Sequence, residues 1–216
     1  MRPRVAILIS GRGSNMVALA QAAQNGVLAG RCEIAAVVSS RPAAPGLDRA
    51  RELGLAAFAL DARQLGQDAY DAALLAVLEN CRADVVVLAG YMRLLSPRVV
   101  ARYRGRILNV HPADTARHQG LHGYEWAFDQ RLPATKITVH LVDEGLDTGR
   151  VLAQREVDLR GAETLAEVER RGLAVEHALY PEALKTFLTT NDGHVVCQAA
   201  PITIPILSST KWTPVL

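Results

Sequence analysis

Val5-Ala6-Ile7-Leu8-Ile9-Ser10-Gly11-Arg12-Gly13-Ser14-Asn15 is the stretch that decides the fold class. The unbroken apolar run Val5–Ile9 reads as a parallel strand covered by helices on both faces. A glycine turn follows, and Met16–Gln24 then takes a helical pattern, with Ser14 or Asn15 as the expected N-cap. Strand, glycine turn and helix set free N–H groups and a positive helix end beside a loop that lets a phosphate approach closely. A tight βα turn without a ligand looks the same locally, and the loop alone does not separate the two.

The alternation continues along the chain. Glu33–Ser39, Ala56–Leu60 and Asp84–Leu88 read as strands, interleaved with helices over Gly46–Leu53 and Ala69–Cys81. Helix Pro97–Tyr103 follows, with Ser96 as N-cap and Pro97 in its first turn. Strand Ile107–Pro112 comes next, then a polar segment with a short helix around Tyr124–Phe128. Lys136–Val142 and Val151–Val157 look like a β pair joined by an acidic loop, and Gly161–Leu188 is amphipathic and helical, with a break expected at Gly172. The expected architecture is α/β: a Rossmann-like, mostly parallel sheet with helices on both faces, to which the C-terminal half adds antiparallel strands and a long helix. We expect a single domain over residues 1–190, with a phosphate-binding half up to about residue 100 and a catalytic half after it. Residues 191–216 are a β-branched, proline-punctuated tail with no assigned role.

Composition narrows the function classes. With 216 residues, half of them hydrophobic, the chain can build a substantial core. A net charge of +2 and no basic stripe with interleaved aromatics argue against a nucleic-acid partner. No apolar run approaches the ~20 residues that span a bilayer. The apolar run after Met1-Arg2-Pro3-Arg4 stops too soon for a signal peptide, so a cytoplasmic location is expected. Cys32, Cys81 and Cys197 are odd in number, lack metal spacing, and read as buried thiols in a reducing compartment. The dinucleotide reading fails its own test. Met16 stands where the fingerprint needs its third glycine, and Ser39-Ser40-Arg41 stands where the ribose-binding acid belongs. Only a faint NADP site through Arg41 survives; a mononucleotide or sugar phosphate fits better.

The chemistry gathers at Ile107-Leu108-Asn109-Val110-His111-Pro112. Alternation puts Asn109 and His111 on one side of the strand, an amide donor beside a group that titrates near neutrality. Those are the parts an oxyanion site needs. The loop Asp143-Glu144-Gly145-Leu146-Asp147 brings carboxylates, of which Asp147 is expected to hold His111 and raise its pKa. Asp143 and Glu144 read as loop-shaping or solvated, His140 as a hydrogen-bonded neighbour, and Trp126 as packing. His118, His122 and His177 match no zinc spacing, and no metal is expected.

With these residues placed, the chain resembles the folate-dependent formyltransferases over Val5 to about Leu188. The resemblance rests on Ile9–Asn15, Val86–Arg93, Leu108–Pro112, Gly120–His122, Val142–Gly149 and Glu176–Pro181, in order. It is nearest to the members that formylate glycinamide ribonucleotide in purine synthesis. It implies Asn109, His111 and Asp147 as the catalytic trio, and Gly13, Ser14 and Asn15 around the nucleotide phosphate. Glu176 would face the ribose or glycinamide end of the acceptor. Met92, Arg93, Leu94 and Leu95 would line the folate cleft, with Asn109 and the backbone of the loop from Asp143 also facing the folate. It further implies 10-formyltetrahydrofolate as co-substrate, small-molecule partners, and a monomer or homodimer. Members acting on initiator methionyl-tRNA carry a further C-terminal domain, so the small acceptor is the expectation here. Other amines, such as an amino-sugar nucleotide, remain the alternative, followed by an NADP-binding oxidoreductase and a non-catalytic nucleotide-binding module. Departures from the family pattern are Ala113-Asp114-Thr115-Ala116 after the histidine, Gln119 before Gly120, and Gln67 where a basic residue is common. They bear on the loop over the substrate and on contacts to the folate tail.

Overall fold

The computed structural model describes residues 1–190; the expectation for the 191–216 tail lies outside them. Seven strands form one sheet in the order β3-β2-β1-β4-β5-β6-β7. The first five, β1 (Arg4–Ile9), β2 (Glu33–Ser39), β3 (Ala57–Ala59), β4 (Val85–Leu88) and β5 (Ile107–His111), pair in parallel. The last two, β6 (Ala134–Leu141) and β7 (Val151–Asp158), run antiparallel, as the acidic hairpin implies. Strand order reverses between β1 and β4, so a crevice opens at the carboxyl ends of these two strands.

Alternation along the strands divides the core. Val5, Ile7 and Ile9 of β1 face one layer with Met16, Leu179 and Leu184, whereas Ala6 and Leu8 face the other with Tyr70, Leu74 and Val99. The first layer takes α1 (Ser14–Asn25), α2 (Pro45–Glu52), α5 (Gly123–Asp129) and α6 (Leu165–Thr189); the second takes α3 (Ala62–Asn80) and α4 (Pro97–Arg102). From α6 the buried Tyr180 hydroxyl reaches the carbonyl oxygens of Leu88 and Leu108, each at 3.0 Å, and pins the helix across β4 and β5.

Three local expectations change. Gly13, not Ser14 or Asn15, is the N-cap of α1; its φ of 71° is left-handed and no side chain caps the helix. Helix α3 begins seven residues before the expected Ala69. Asp61 accepts from the N–H of Arg63 (2.9 Å) and Gln64 (3.3 Å) to start a first turn, and Gly66, with φ 69°, breaks the helical path before the longer segment. Periodicity registers only that longer segment. Helix α6, conversely, runs unbroken through Gly172. That glycine is a packing device: a Cβ there would enter the ring of Tyr124 on α5.

Candidate active site

The crevice is laced together by Ser10. Its N–H donates to the Gly90 carbonyl (3.0 Å), its hydroxyl accepts from the Met92 N–H (2.9 Å), and the same oxygen lies 2.7 Å from the Ser40 hydroxyl. One buried side chain therefore ties the loops after β1, β2 and β4. On one flank, the first N–H groups of α1 have no acceptor within the helix and no acidic residue stands in its first turn, which leaves an anion-binding end. Gly13 makes room for it. An added Cβ would lie 3.2 Å from the Gly46 Cα, and the Gly46 N–H closes the turn on the Gly11 carbonyl at 3.0 Å. The exposed Arg12 adds positive charge to the turn, and Arg49 from α2 donates to the Arg12 carbonyl at 3.3 Å. The Asn15 side chain turns away: its Nδ2 donates to Glu176 of α6, so Asn15 serves the turn through its backbone.

On the other flank stand Asn109, His111 and Asp147. β5 carries the first two to the carboxyl edge, and the β6–β7 loop folds Asp147 back over them in the left-handed region, φ 52°. Asp147 Oδ2 lies 3.4 Å from His111 Nδ1 and accepts the Gly120 N–H at 2.8 Å; Oδ1 accepts from Asn109 Nδ2 at 3.3 Å. Register adds a residue that sequence reading left beside the site. Asn109 pairs directly with His140 of β6, placing His140 Nε2 3.2 Å from Asn109 Nδ2 and 3.4 Å from Asp147 Oδ1. His140 Nδ1 lies 2.8 Å from the Leu141 carbonyl, which holds the ring with Nε2 toward both Asn109 and Asp147.

Asp147 acts on His111 in the expected direction, raising its pKa, but it does not set the outcome. Burial lowers the pKa below the usual 6.5, and outweighs the raising effects of Asp147 and of the His118 carbonyl, 3.0 Å from Nε2. Geometry still favours a second proton, because acceptors flank both ring nitrogens. The ring is thus pre-organised to carry a charge that burial disfavours. Asp147 shows a different balance: burial pushes its carboxyl up, but His140, the Gly120 N–H and His111 together hold it below its ordinary value.

The remaining expected residues divide. Met92 and Leu94 are exposed on the rim, as are Leu121 and Leu146, whereas Leu95 packs into the second core layer. Arg93 lies against α3: Nη2 donates to Gln67 Oε1 (3.0 Å), and its guanidinium sits 4.8 Å from the Tyr70 ring centroid. Gln67 also donates to Asp71 at 2.9 Å, so it braces Arg93 instead of adding a second charge. Asp143 is spent on its own loop, accepting from the Gly145 N–H and the Thr148 hydroxyl; Glu144 pairs with Arg104. The atypical segment after His111 is held by an Asp114–Lys136 ion pair of 2.8 Å, and its His118 stacks on Trp126 with centroids 4.9 Å apart. Glu176 is buried. Its carboxyl is pushed up by desolvation, against the opposing hydrogen bonds from Tyr124 and Asn15. From the sequence, only the place of Tyr124 in a short helix is legible, not its contact with Glu176.

The family model described as formyl transferase matches residues 3–184, a span that takes in both flanks of this crevice. The chain belongs to the formyl transferase family. Phosphoribosylglycinamide formyltransferase of Escherichia coli is 36% identical over 184 residues, covering 85% of this chain and 86% of that protein. A crystal structure of phosphoribosylglycinamide formyltransferase from Brucella melitensis is 42% identical, with a TM-score of 0.81, covering 88% of this chain and 97% of that one. The Bacillus halodurans structure of that name shares 38% identity at TM-score 0.81, over 87% of this chain and 96% of its own. The trifunctional purine biosynthetic protein adenosine-3 of Drosophila melanogaster is 35% identical over 184 residues, but the chain spans only 14% of its length. The formyl transferase sheet is therefore the frame that brings an anion-binding helix end and an Asn–His–Asp cluster to one edge. Among the described residues no helix is long and apolar enough to cross a membrane.

Proposed function

We propose that the chain transfers the formyl group of 10-formyltetrahydrofolate to the amine of 5'-phosphoribosylglycinamide, a step of purine biosynthesis. The observation that carries the reading is the Asn109–His111–Asp147 cluster, with contacts of 3.3 and 3.4 Å, sharing one crevice with the open end of α1. A phosphorylated acceptor anchors at Gly13–Asn15 with Glu176 toward its ribose or glycinamide part, and its amine points at the trio. The folate lies against the apolar rim of Met92, Leu94, Leu121 and Leu146, with the backbone of the Asp143–Asp147 loop on the pterin. Those exposed apolar side chains suit a flat ring system.

In this reading the amine attacks the formyl carbon. The new C–N bond forms as the carbonyl pair moves onto oxygen, beside the Asn109 amide. With its Nδ1–H held toward Asp147, His111 gives up the His118 carbonyl contact at Nε2 and takes there the proton that the attacking nitrogen sheds; the resulting imidazolium faces the oxyanion and is steadied by Asp147. Collapse breaks the bond to N10, which receives the proton, so the ring returns to its starting state. His140 keeps the Asn109 amide nitrogen turned inward.

The test is a formyl-transfer assay offering the purified protein 10-formyltetrahydrofolate and glycinamide ribonucleotide, with initiator methionyl-tRNA and an amino-sugar nucleotide as rival acceptors. Formylation of the ribonucleotide alone is expected. Preference for either rival refutes the assignment, and NADPH binding without transfer would return the chain to the oxidoreductase reading.

A further inference from the structure

Three helices from distant parts of the chain meet at one carboxylate. Glu176 of α6 is 4% exposed, and both its oxygens are taken: Oε1 by the Tyr124 hydroxyl of α5, Oε2 by Asn15 Nδ2 of α1. Among the described residues Asn15 has no other side-chain anchor for its amide, since its buried Oδ1 meets no donor. The Tyr124 ring fits because α6 offers Gly172 one turn before Glu176; any side chain there would overlap the ring. So a glycine admits an aromatic ring, its hydroxyl holds a carboxylate, and that carboxylate holds the first turn of the helix whose end receives the phosphate.

Two elements of this chain of contacts already belong to the proposed acceptor site, and Tyr124 does not. We propose that Tyr124 is a positioning residue for the nucleotide acceptor: through Glu176 it fixes both the carboxylate at the sugar end and the Asn15 side chain behind the phosphate turn. It does not touch the reacting atoms. Its hydroxyl has one acceptor, and removing it leaves the buried Glu176 carboxylate with Asn15 as its remaining donor. A buried carboxylate short of a donor relaxes toward other partners or protonates, and either change loosens Asn15. The formyl donor lies on the opposite flank, against Met92 and the β6–β7 loop, and is not held by this linkage.

The inference rests on the proposed function, and the experiment separates the two. Wild-type enzyme is first assayed with glycinamide ribonucleotide and 10-formyltetrahydrofolate; failure to transfer overturns the functional reading and the inference with it. Given transfer, Tyr124→Phe should raise the KM for the ribonucleotide by roughly two- to tenfold, the worth of one hydrogen bond, while kcat and the folate KM stay within about twofold. A merely structural tyrosine predicts loss of folded protein, or equal changes for both substrates. The double variant Tyr124→Phe/Glu176→Gln should match Glu176→Gln alone in acceptor KM, because Tyr124 acts through that carboxylate. Additive effects, an unchanged acceptor KM, or parallel changes in both KM values overturn the proposal. Should Tyr124→Phe not fold, Tyr124→His, which keeps a ring and a donor, serves as the second variant: a rise confined to the acceptor KM supports the linkage, and an unchanged acceptor KM or parallel changes in both KM values overturn it.

Discussion

Asp147→Asn removes a charge while keeping shape, and the structure fixes what should follow. The carboxylate sits 3.4 Å from His111 Nδ1, with side-chain exposures of 4% for the histidine and 10% for the aspartate. At that separation an imidazolium gains about 5 kcal/mol at an effective dielectric constant of about 20, and about 1 kcal/mol in a water-like medium. Losing it lowers the His111 pKa, because the charged ring gives up its neighbouring negative partner. Burial already holds that pKa below 6.5, so the change moves the ring further from protonation at neutral pH. If His111 must take the amine proton and face the oxyanion as an imidazolium, kcat falls on the order of a hundredfold, within a range of roughly ten to a thousand. Both KM values should hold, because the amide still accepts from the Gly120 N–H. The assay pairs steady-state kinetics with an NMR titration of the histidine ring nitrogens in wild type and variant. An unmoved His111 titration, or kcat within about twofold, refutes the coupling.

Other consequences are equally direct. Asn109→Ala should lower kcat by on the order of a hundredfold or more, with smaller effects on KM, since an oxyanion donor acts in the transition state; a destabilised variant that turns over normally would show a structural asparagine instead. Gly13→Val forces a side chain into the left-handed region and toward the Gly46 backbone. It should raise the ribonucleotide KM by about tenfold or more while sparing the folate KM, as expected where backbone must approach a phosphate; equal losses on both substrates would remove the phosphate assignment. Glu176→Gln should change how stability depends on pH. The folded pKa of this acid is raised above 4.5, so the folded state retains a proton that the unfolded state releases, and wild-type stability declines as pH rises from 4.5 through the folded pKa. The amide lacks that decline, and superimposable stability–pH curves for the two proteins would contradict the burial argument.

The strand–glycine–helix stretch at Val5–Asn15 and the β-branched run Val85–Leu88 sufficed for a parallel α/β sheet, because alternation and apolar runs are local properties that survive any packing of the pieces. The sign of the turn at Asp143–Gly149 likewise pointed to the antiparallel extension. Asn109 and His111 share a strand face by spacing alone, and their partner Asp147 lies on a recognisable loop. Element ends were less legible: the first turn of α3 depends on an Asp61 cap and a Gly66 reversal, which hydrophobic periodicity does not register.

What only the tertiary structure decided arises between segments far apart in the chain. His140 joins the site because the β5–β6 register sets it opposite Asn109, and a shift of one residue would have turned it to the other face. Tyr124, Glu176 and Asn15 meet across α5, α6 and α1, a contact that no spacing in the sequence announces. Gly172 looked like a helix breaker, yet it is where two helices come close enough to share that contact. The His111 pKa falls for the same reason. A neighbouring carboxylate can be read from a motif, but the desolvation that opposes it depends on everything packed around the ring, and burial is a property of the folded chain as a whole.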